Sequence, residues 1–181
     1  MHFIPTKLTD AYIIEPEKLT DERGFFARSW CETEFRDRGL NPNLVQCNIS
    51  FNKTKGTIRG MHLQIEPYAE AKLVRCTQGA IYDVIVDLRP DSDTYKQWLG
   101  VELTPANHRA LYVPEGFAHG FQTLEDNTEV FYQMSQFYAP ECARGYPWND
   151  PSFQIEWRLE VSVISDKDRN LPNYASESSR S

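Results

Sequence analysis

The chain has 181 residues, 40% of them hydrophobic and 25% charged, with 19 Lys and Arg against 26 Asp and Glu for a formal charge of −7. That length suits one sizeable core and is short for two, and the acidic balance argues against a nucleic-acid partner or an anionic membrane surface while leaving room for a local basic pocket. No apolar run approaches the roughly 20 residues that span a bilayer, and Met1-His2-Phe3-Ile4-Pro5 lacks the basic and apolar regions of a signal peptide, so a cytoplasmic protein is expected.

Read in chain order, the residues predict many strands and little helix. Tyr12–Ile14 and Gly24–Trp30 are short extended runs. Glu32–Arg38 is the best helix candidate, with Gly39 placed to cap it. Val45–Phe51, Thr57–Gln64, Lys72–Cys76, Ala80–Leu88, Gln97–Thr104, Arg109–Val113 and Val130–Phe137 follow as strands. Lys55-Gly56, Gln78-Gly79, Arg89-Pro90-Asp91 and Pro114-Glu115-Gly116 punctuate them as turns. Short strands at this spacing predict a sandwich or barrel. In Ala80–Leu88, one face carries Tyr82, Val84, Val86 and Leu88, and the other Ile81, Asp83, Ile85 and Asp87. Carboxylates alternating with isoleucines suggest an edge or solvent face, or else place Asp83 on a wet cavity lining. Cys31, Cys47, Cys76 and Cys142 are scattered with no paired spacing and read as buried apolar residues in a reducing compartment. Residues 1–172 are expected to form a single domain, and 173–181 a polar, frayed tail.

The chemistry-bearing residues sit on these short segments. Arg59 and His62 precede Lys72, then come His119, Tyr132 and Asp166-Lys167-Asp168. A barrel brings such residues to one cavity. An imidazole base, an ammonium, a phenol and a carboxylate together suit proton abstraction next to a carbonyl, with the phenol as acid.

Two segments narrow the fold. Gly56, His62 and Gln64, and then Pro114-x-Gly116-x-x-His119, resemble the two motifs of the cupin barrels, whose first motif normally carries two histidines. Here Gln64 stands at the second position, Glu66 is too near and Glu70 too far to complete a ligand set, so no metal is expected. The wider series makes the resemblance specific. Arg23-Gly24-Phe25-Phe26, Gln46-x-Asn48-x-Ser50, Gly56–Gln64, Ala71–Arg75, Asp83–Arg89, Leu111–Phe121, Phe137–Glu141 and Ser165–Asp168 fall in order between about residues 10 and 172. Together they resemble the dTDP-4-dehydrorhamnose 3,5-epimerase family.

The resemblance implies an all-β fold, a metal-free cupin-type jelly-roll barrel with a few short helices. It also implies a homodimer, no cofactor, and a nucleotide-linked 4-keto-6-deoxy sugar as substrate. By the same resemblance His62 is the base, oriented by Asp168. Lys72 holds the enolate oxygen, and Tyr132 is the acid on the opposite face. Arg23 and Arg59 suit the diphosphate. Gln46, Asn48, Phe25, Tyr138 and His119 are further substrate-binding candidates, with Trp148 as an aromatic candidate. One departure is Ala143, where relatives often carry an acid before Arg144, which leaves that corner of the pocket in question. The alternatives are an epimerase of C3 or C5 alone, a metal-dependent cupin enzyme, and a non-catalytic sugar-binding protein.

Overall fold

The computed structural model describes residues 1–175. Fourteen strands and two short helices appear in this order: β1 (His2–Pro5), β2 (Tyr12–Glu15), β3 (Lys18–Asp21), β4 (Gly24–Ala27), α1 (Glu32–Arg36), β5 (Gln46–Asn52), β6 (Thr57–Gln64), β7 (Lys72–Gln78), β8 (Ile81–Asp87), β9 (Trp98–Leu103), β10 (Ala110–Val113), β11 (Phe117–Thr123), β12 (Thr128–Met134), β13 (Ala143–Gly145), β14 (Val163–Ile164) and α2 (Asp166–Arg169). One six-stranded sheet runs β1-β2-β10-β7-β12-β5. The other runs β13-β6-β11-β8-β9, with β14 added along β6, and β3-β4 form a separate two-stranded hairpin. The architecture is all-β, as expected.

Period-two alternation builds the core between the sheets. Val74 and Cys76 of β7, Leu111 and Val113 of β10 and Val130 of β12 meet Ile81 and Ile85 of β8, Val101 and Leu103 of β9, and Phe117 and Phe121 of β11. Burying such side chains contributes about 1.5–3 kcal/mol each. The outer face of the first sheet is capped by α1, whose Phe35 packs with Ile14, Leu73 and Tyr112. This helix is shorter than expected. Gly39 adopts a positive φ of 70°, and the Leu40 N–H closes back to the Phe35 carbonyl.

The expectation of an edge or solvent face in β8 is overturned. Every residue from Ile81 to Asp87 is buried, because β8 lies between β11 and β9 and both its faces are covered. Met61, Tyr82, Val84, Val86 and Ala118 are roofed by Tyr146 and Phe153, with Ile155, Trp157 and Tyr174 packed against them. The same roof includes Tyr174, at the start of the expected tail. Tyr174 is docked, its ring edge-on to Tyr146, its hydroxyl 2.6 Å from that of Tyr95, and its N–H donating to Asp150 at 2.7 Å. The remainder of that segment, 176–181, lies outside the described residues. No helix among the described residues is long and apolar enough to cross a membrane.

Candidate active site

Side chains from both sheets converge on two adjoining cavities. One, of about 400 Å³, is lined by Gln46, Asn48, His62, Glu70, Lys72, Tyr132 and Tyr138 among others. The second, of about 200 Å³, shares His62, Lys72 and Tyr132 and adds Ser50, Arg59, His119 and Asp168. A larger cleft of about 500 Å³ lies beyond Leu63 and Gln64, toward Tyr112 and Glu115. It contains none of the predicted catalytic residues, so the chemistry and not the volume marks the site.

Alternation explains most of this convergence. On β5, Gln46, Asn48 and Ser50 turn toward the cavity while Cys47, Ile49 and Phe51 are exposed on the other face. On β7, Lys72 precedes the inward Val74 and Cys76. Arg59 and His62 need another cause, because residues three apart on a regular strand face opposite ways. The β6–β11 register supplies it. His62 pairs with His119, but Arg59 pairs with Phe121, so three steps on β6 match two on β11. This bulge turns Arg59 and His62 to the same cavity. It is tightly packed: a Cβ on Gly60, whose φ is 118°, would lie 2.5 Å from the Gly120 Cα.

The bulged strand pair sets two imidazoles side by side, each with its own carboxylate. His62 Nε2 lies 2.7 Å from Asp168 Oδ1, and the Gly60 N–H donates to Asp168 Oδ2 at 3.3 Å. Asp168 is delivered by α2, whose first turn is capped by Ser165 Oγ accepting from the Asp168 N–H. Burial works against the charge of Asp168, but the bond and charge of His62, with the Gly60 and Ser165 contacts, outweigh it and hold the carboxyl below its ordinary value. An ionised Asp168 accepts a hydrogen bond from Nε2–H, which leaves Nδ1 as the lone-pair nitrogen. His119 Nε2 lies 2.8 Å from Asp83 Oδ1, and Asp83 is fully buried. Asp83 is therefore an imidazole partner behind the cavity.

Lys72 is buried, and its Nζ lies 3.0 Å from Glu70 Oε1. Burial pushes the Tyr132 phenol above its ordinary value; the charge of Arg59 opposes the shift and that of Glu70 adds to it. Arg59 is anchored by its Nε to Asn52 Oδ1 at 2.7 Å, which leaves its two terminal nitrogens for a ligand. The Tyr138 N–H donates to Gln46 Oε1 at 3.3 Å, holding that exposed ring at the cavity edge.

Three predicted site residues are not brought in. Arg23 is exposed on the β3–β4 hairpin and paired with Asp21, and Phe25 packs edge-on against His108. Neither lines the cavity of its own chain. Trp148 lines neither cavity, and its carbonyl accepts a bond from Trp157 Nε1 at 2.8 Å. In the corner left in question by Ala143, Arg144 donates to the carbonyls of Glu141 and Ala143 and still lines the cavity.

Glu70 and Lys167, both on the wall, were not singled out as site residues from the sequence. By sequence spacing Glu70 is too far along to be a metal ligand. Its signal was the Glu-x-Lys spacing, which puts two side chains on one side of an extended segment. Among the described residues no group of three or more His, Cys, Asp and Glu side chains is arranged to hold a metal ion.

Comparison with known proteins follows the same lines. A family model described as dTDP-4-dehydrorhamnose 3,5-epimerase matches residues 5–176. The dTDP-4-dehydrorhamnose 3,5-epimerase of Methanothermobacter thermautotrophicus is 48% identical over 93% of this chain and 91% of its own. The crystal structure of the Elizabethkingia anophelis enzyme of that name superposes with a TM-score of 0.95 at 40% identity, covering 98% of each chain. That of Bacillus anthracis, with TDP and pyrophosphate bound, gives 0.90 at 46% identity, covering 95% of this chain and 98% of its own.

Proposed function

The chain belongs to the dTDP-4-dehydrorhamnose 3,5-epimerase family, and we propose that it inverts C3 and C5 of dTDP-4-dehydro-6-deoxy-D-glucose to give dTDP-4-dehydro-L-rhamnose in deoxysugar synthesis. The single observation that carries this reading is the placement of His62, Lys72 and Tyr132 around one cavity, with Asp168 bound to the imidazole.

The protons beside a 4-keto group are acidic because their removal leaves an enolate with its charge on O4. His62 Nδ1 takes the proton from C3 or C5, and Asp168 stabilises the imidazolium that forms. The Lys72 ammonium meets the charge developing on O4, in a buried setting where such a contact counts most. Tyr132, kept protonated by burial, delivers its phenolic proton to the same carbon from the opposite face, which inverts the centre. The phenolate regains a proton and the imidazolium loses one to solvent before the second centre reacts. His119 lies near the keto oxygen, backed by Asp83. Arg59 takes the diphosphate, and Gln46, Asn48 and Tyr138 line the path of the nucleoside.

Arg23 and Phe25 can contribute only to another copy, and we include a homodimer in the reading. Its support is apolar surface with nothing over it: Phe26 of the hairpin is 72% exposed, and Ile49 of β5 65%. Ile49 pairs with Phe131, which pairs with Arg75, whose Nε is buried without a hydrogen-bond partner among the described residues. The four free cysteines support a reducing, cytoplasmic setting, although only Cys76 and Cys142 are buried as expected, Cys47 being turned outward by the alternation of β5.

The test is His62→Ala, expected to lower epimer formation on the order of 10³-fold with the fold retained, since the imidazole is partly exposed. Turnover near wild type would remove the base assignment. Mixing His62→Ala with Arg23→Ala protein extends the test. In a dimer that shares its hairpins, about a quarter of the sites recover both residues, whereas a mixture no more active than its components would place Arg23 outside the reaction.

A further inference from the structure

Gln64 and Glu70 are buried beside the cavity, at 2% and 7% exposure, and the reaction described above assigns neither a task. Their contacts form a chain that ends on Lys72. The two N–H groups of the Gln64 amide are shared among three acceptors, the Tyr68 carbonyl at 2.9 Å, the Phe137 carbonyl at 3.1 Å and Glu70 Oε2 at 3.2 Å. The amide oxygen accepts from the Ala139 N–H at 2.6 Å. Glu70 Oε1 then faces Lys72 Nζ at 3.0 Å. Between them the backbone is pinned, with the Ala71 N–H donating to Ser135 Oγ at 2.8 Å and the Ser135 N–H to the Ala71 carbonyl at 2.9 Å.

An amide is well suited to this post. It accepts from one backbone group while donating to carbonyls and a carboxylate, and a neutral imidazole offers only one donor and one acceptor. A lysine ammonium on a four-carbon stem has no fixed direction of its own. The other cations lining the cavity, Arg59, Arg144 and Lys167, repel it, and Asp168 is already bonded to His62. Glu70 is the carboxylate in contact with it.

We infer that Glu70 is a positioning residue for the epimerisation, fixing the Lys72 ammonium toward the enolate oxygen, and that Gln64 holds Glu70 in place. The inference rests on the reading of Lys72 given above. One ammonium hydrogen is taken by Glu70, and the other two are aimed into the cavity. The contact with O4 strengthens as charge develops there, so a misaimed ammonium slows enolate formation more than it weakens substrate binding.

The test is a double-mutant cycle on Glu70→Gln and Lys72→Met, reading kcat, KM and deuterium uptake at C3 and C5. Glu70→Gln keeps the volume and an acceptor. It should lower kcat on the order of tenfold, less than the 100-fold or more expected for losing the ammonium itself, with KM within about twofold. In the Lys72→Met background the same change should cost less than about twofold, because its effect passes through Lys72. Glu70→Asp, which retains the charge, should recover part of the loss and checks for damage to packing. If Glu70→Gln costs as much without Lys72 as with it, Glu70 acts on the fold and the inference falls. If Glu70→Gln leaves kcat unchanged it also falls. If Lys72→Met itself turns over like wild type, the reading of Lys72 fails first and takes the inference with it.

Discussion

Tyr132 and Asp168 show how surroundings set the task of a side chain. Tyr132 is a phenol whose proton burial makes harder to lose, with the charge of Arg59 opposing and that of Glu70 adding. A group of that kind stays loaded at neutral pH. Tyr132→Phe should therefore uncouple exchange from inversion: His62 still removes a proton and returns one to the same face, so deuterium enters C5 with little new epimer. NMR of substrate and product gives the ratio, and a proportional fall in both would make Tyr132 a substrate-positioning group. Asp168 is the opposite case, a carboxyl held below its ordinary value mainly by His62 against the cost of burial. Because its folded value is depressed, the stability it adds is complete above about pH 4, the unfolded value, and is lost as pH falls through the folded value. Urea unfolding at neutral pH and near pH 3 should show Asp168→Asn losing its disadvantage in acid. A gap that is the same at both pH values would mean that Asp168 acts through shape and not charge.

At the scale of elements, the β6–β11 pair does most to build the site, because its one-residue bulge puts Arg59 and His62 on one side. Gly60→Ala should strain a backbone held at positive φ and push a methyl onto the Gly120 backbone, a loss of roughly 2–4 kcal/mol. Activity per folded molecule should fall as well, since the bulge aims two ligand-facing residues. Unchanged denaturant stability would show that the close approach is not needed. The residues of β6, Thr57–Gln64, were legible with the same bounds, because the Lys55-Gly56 turn precedes them and Glu66-Pro67 follows closely. The bulge was not, since it depends on a partner strand 57 residues away, counted from His62 to His119. β8 misled for a related reason. Its alternation is as expected, but the face carrying Ile81, Asp83, Ile85 and Asp87 turns into the core between the sheets, where Ile81 and Ile85 meet Val74, Val113 and Val130 of strands distant in the chain. The His62–Asp168 and Lys72–Tyr132 groupings were legible through the family resemblance. The Glu70–Gln64 contacts were not, because spacing alone judged Glu70 by its distance from a metal ligand set and not by the lysine two residues on.

At the scale of the whole molecule, an acidic chain of net charge −7 gathers Arg59, Lys72, Arg144 and Lys167 around two adjoining cavities. The overall field keeps other polyanions away while the local one accepts a diphosphate. The two sheets form a stiff frame, and the proposed reacting groups come from β6, β7, β12 and α2, so their spacing is set before substrate arrives. That arrangement predicts acid and base on opposite faces of one sugar ring, acting at two carbons in turn. The most direct measurement is proton NMR of dTDP-4-dehydro-6-deoxy-D-glucose incubated with the protein in deuterated water. Solvent deuterium should enter both C3 and C5 of the product as dTDP-4-dehydro-L-rhamnose forms. Deuterium at only one of those carbons, or epimer formed without deuterium, would contradict it.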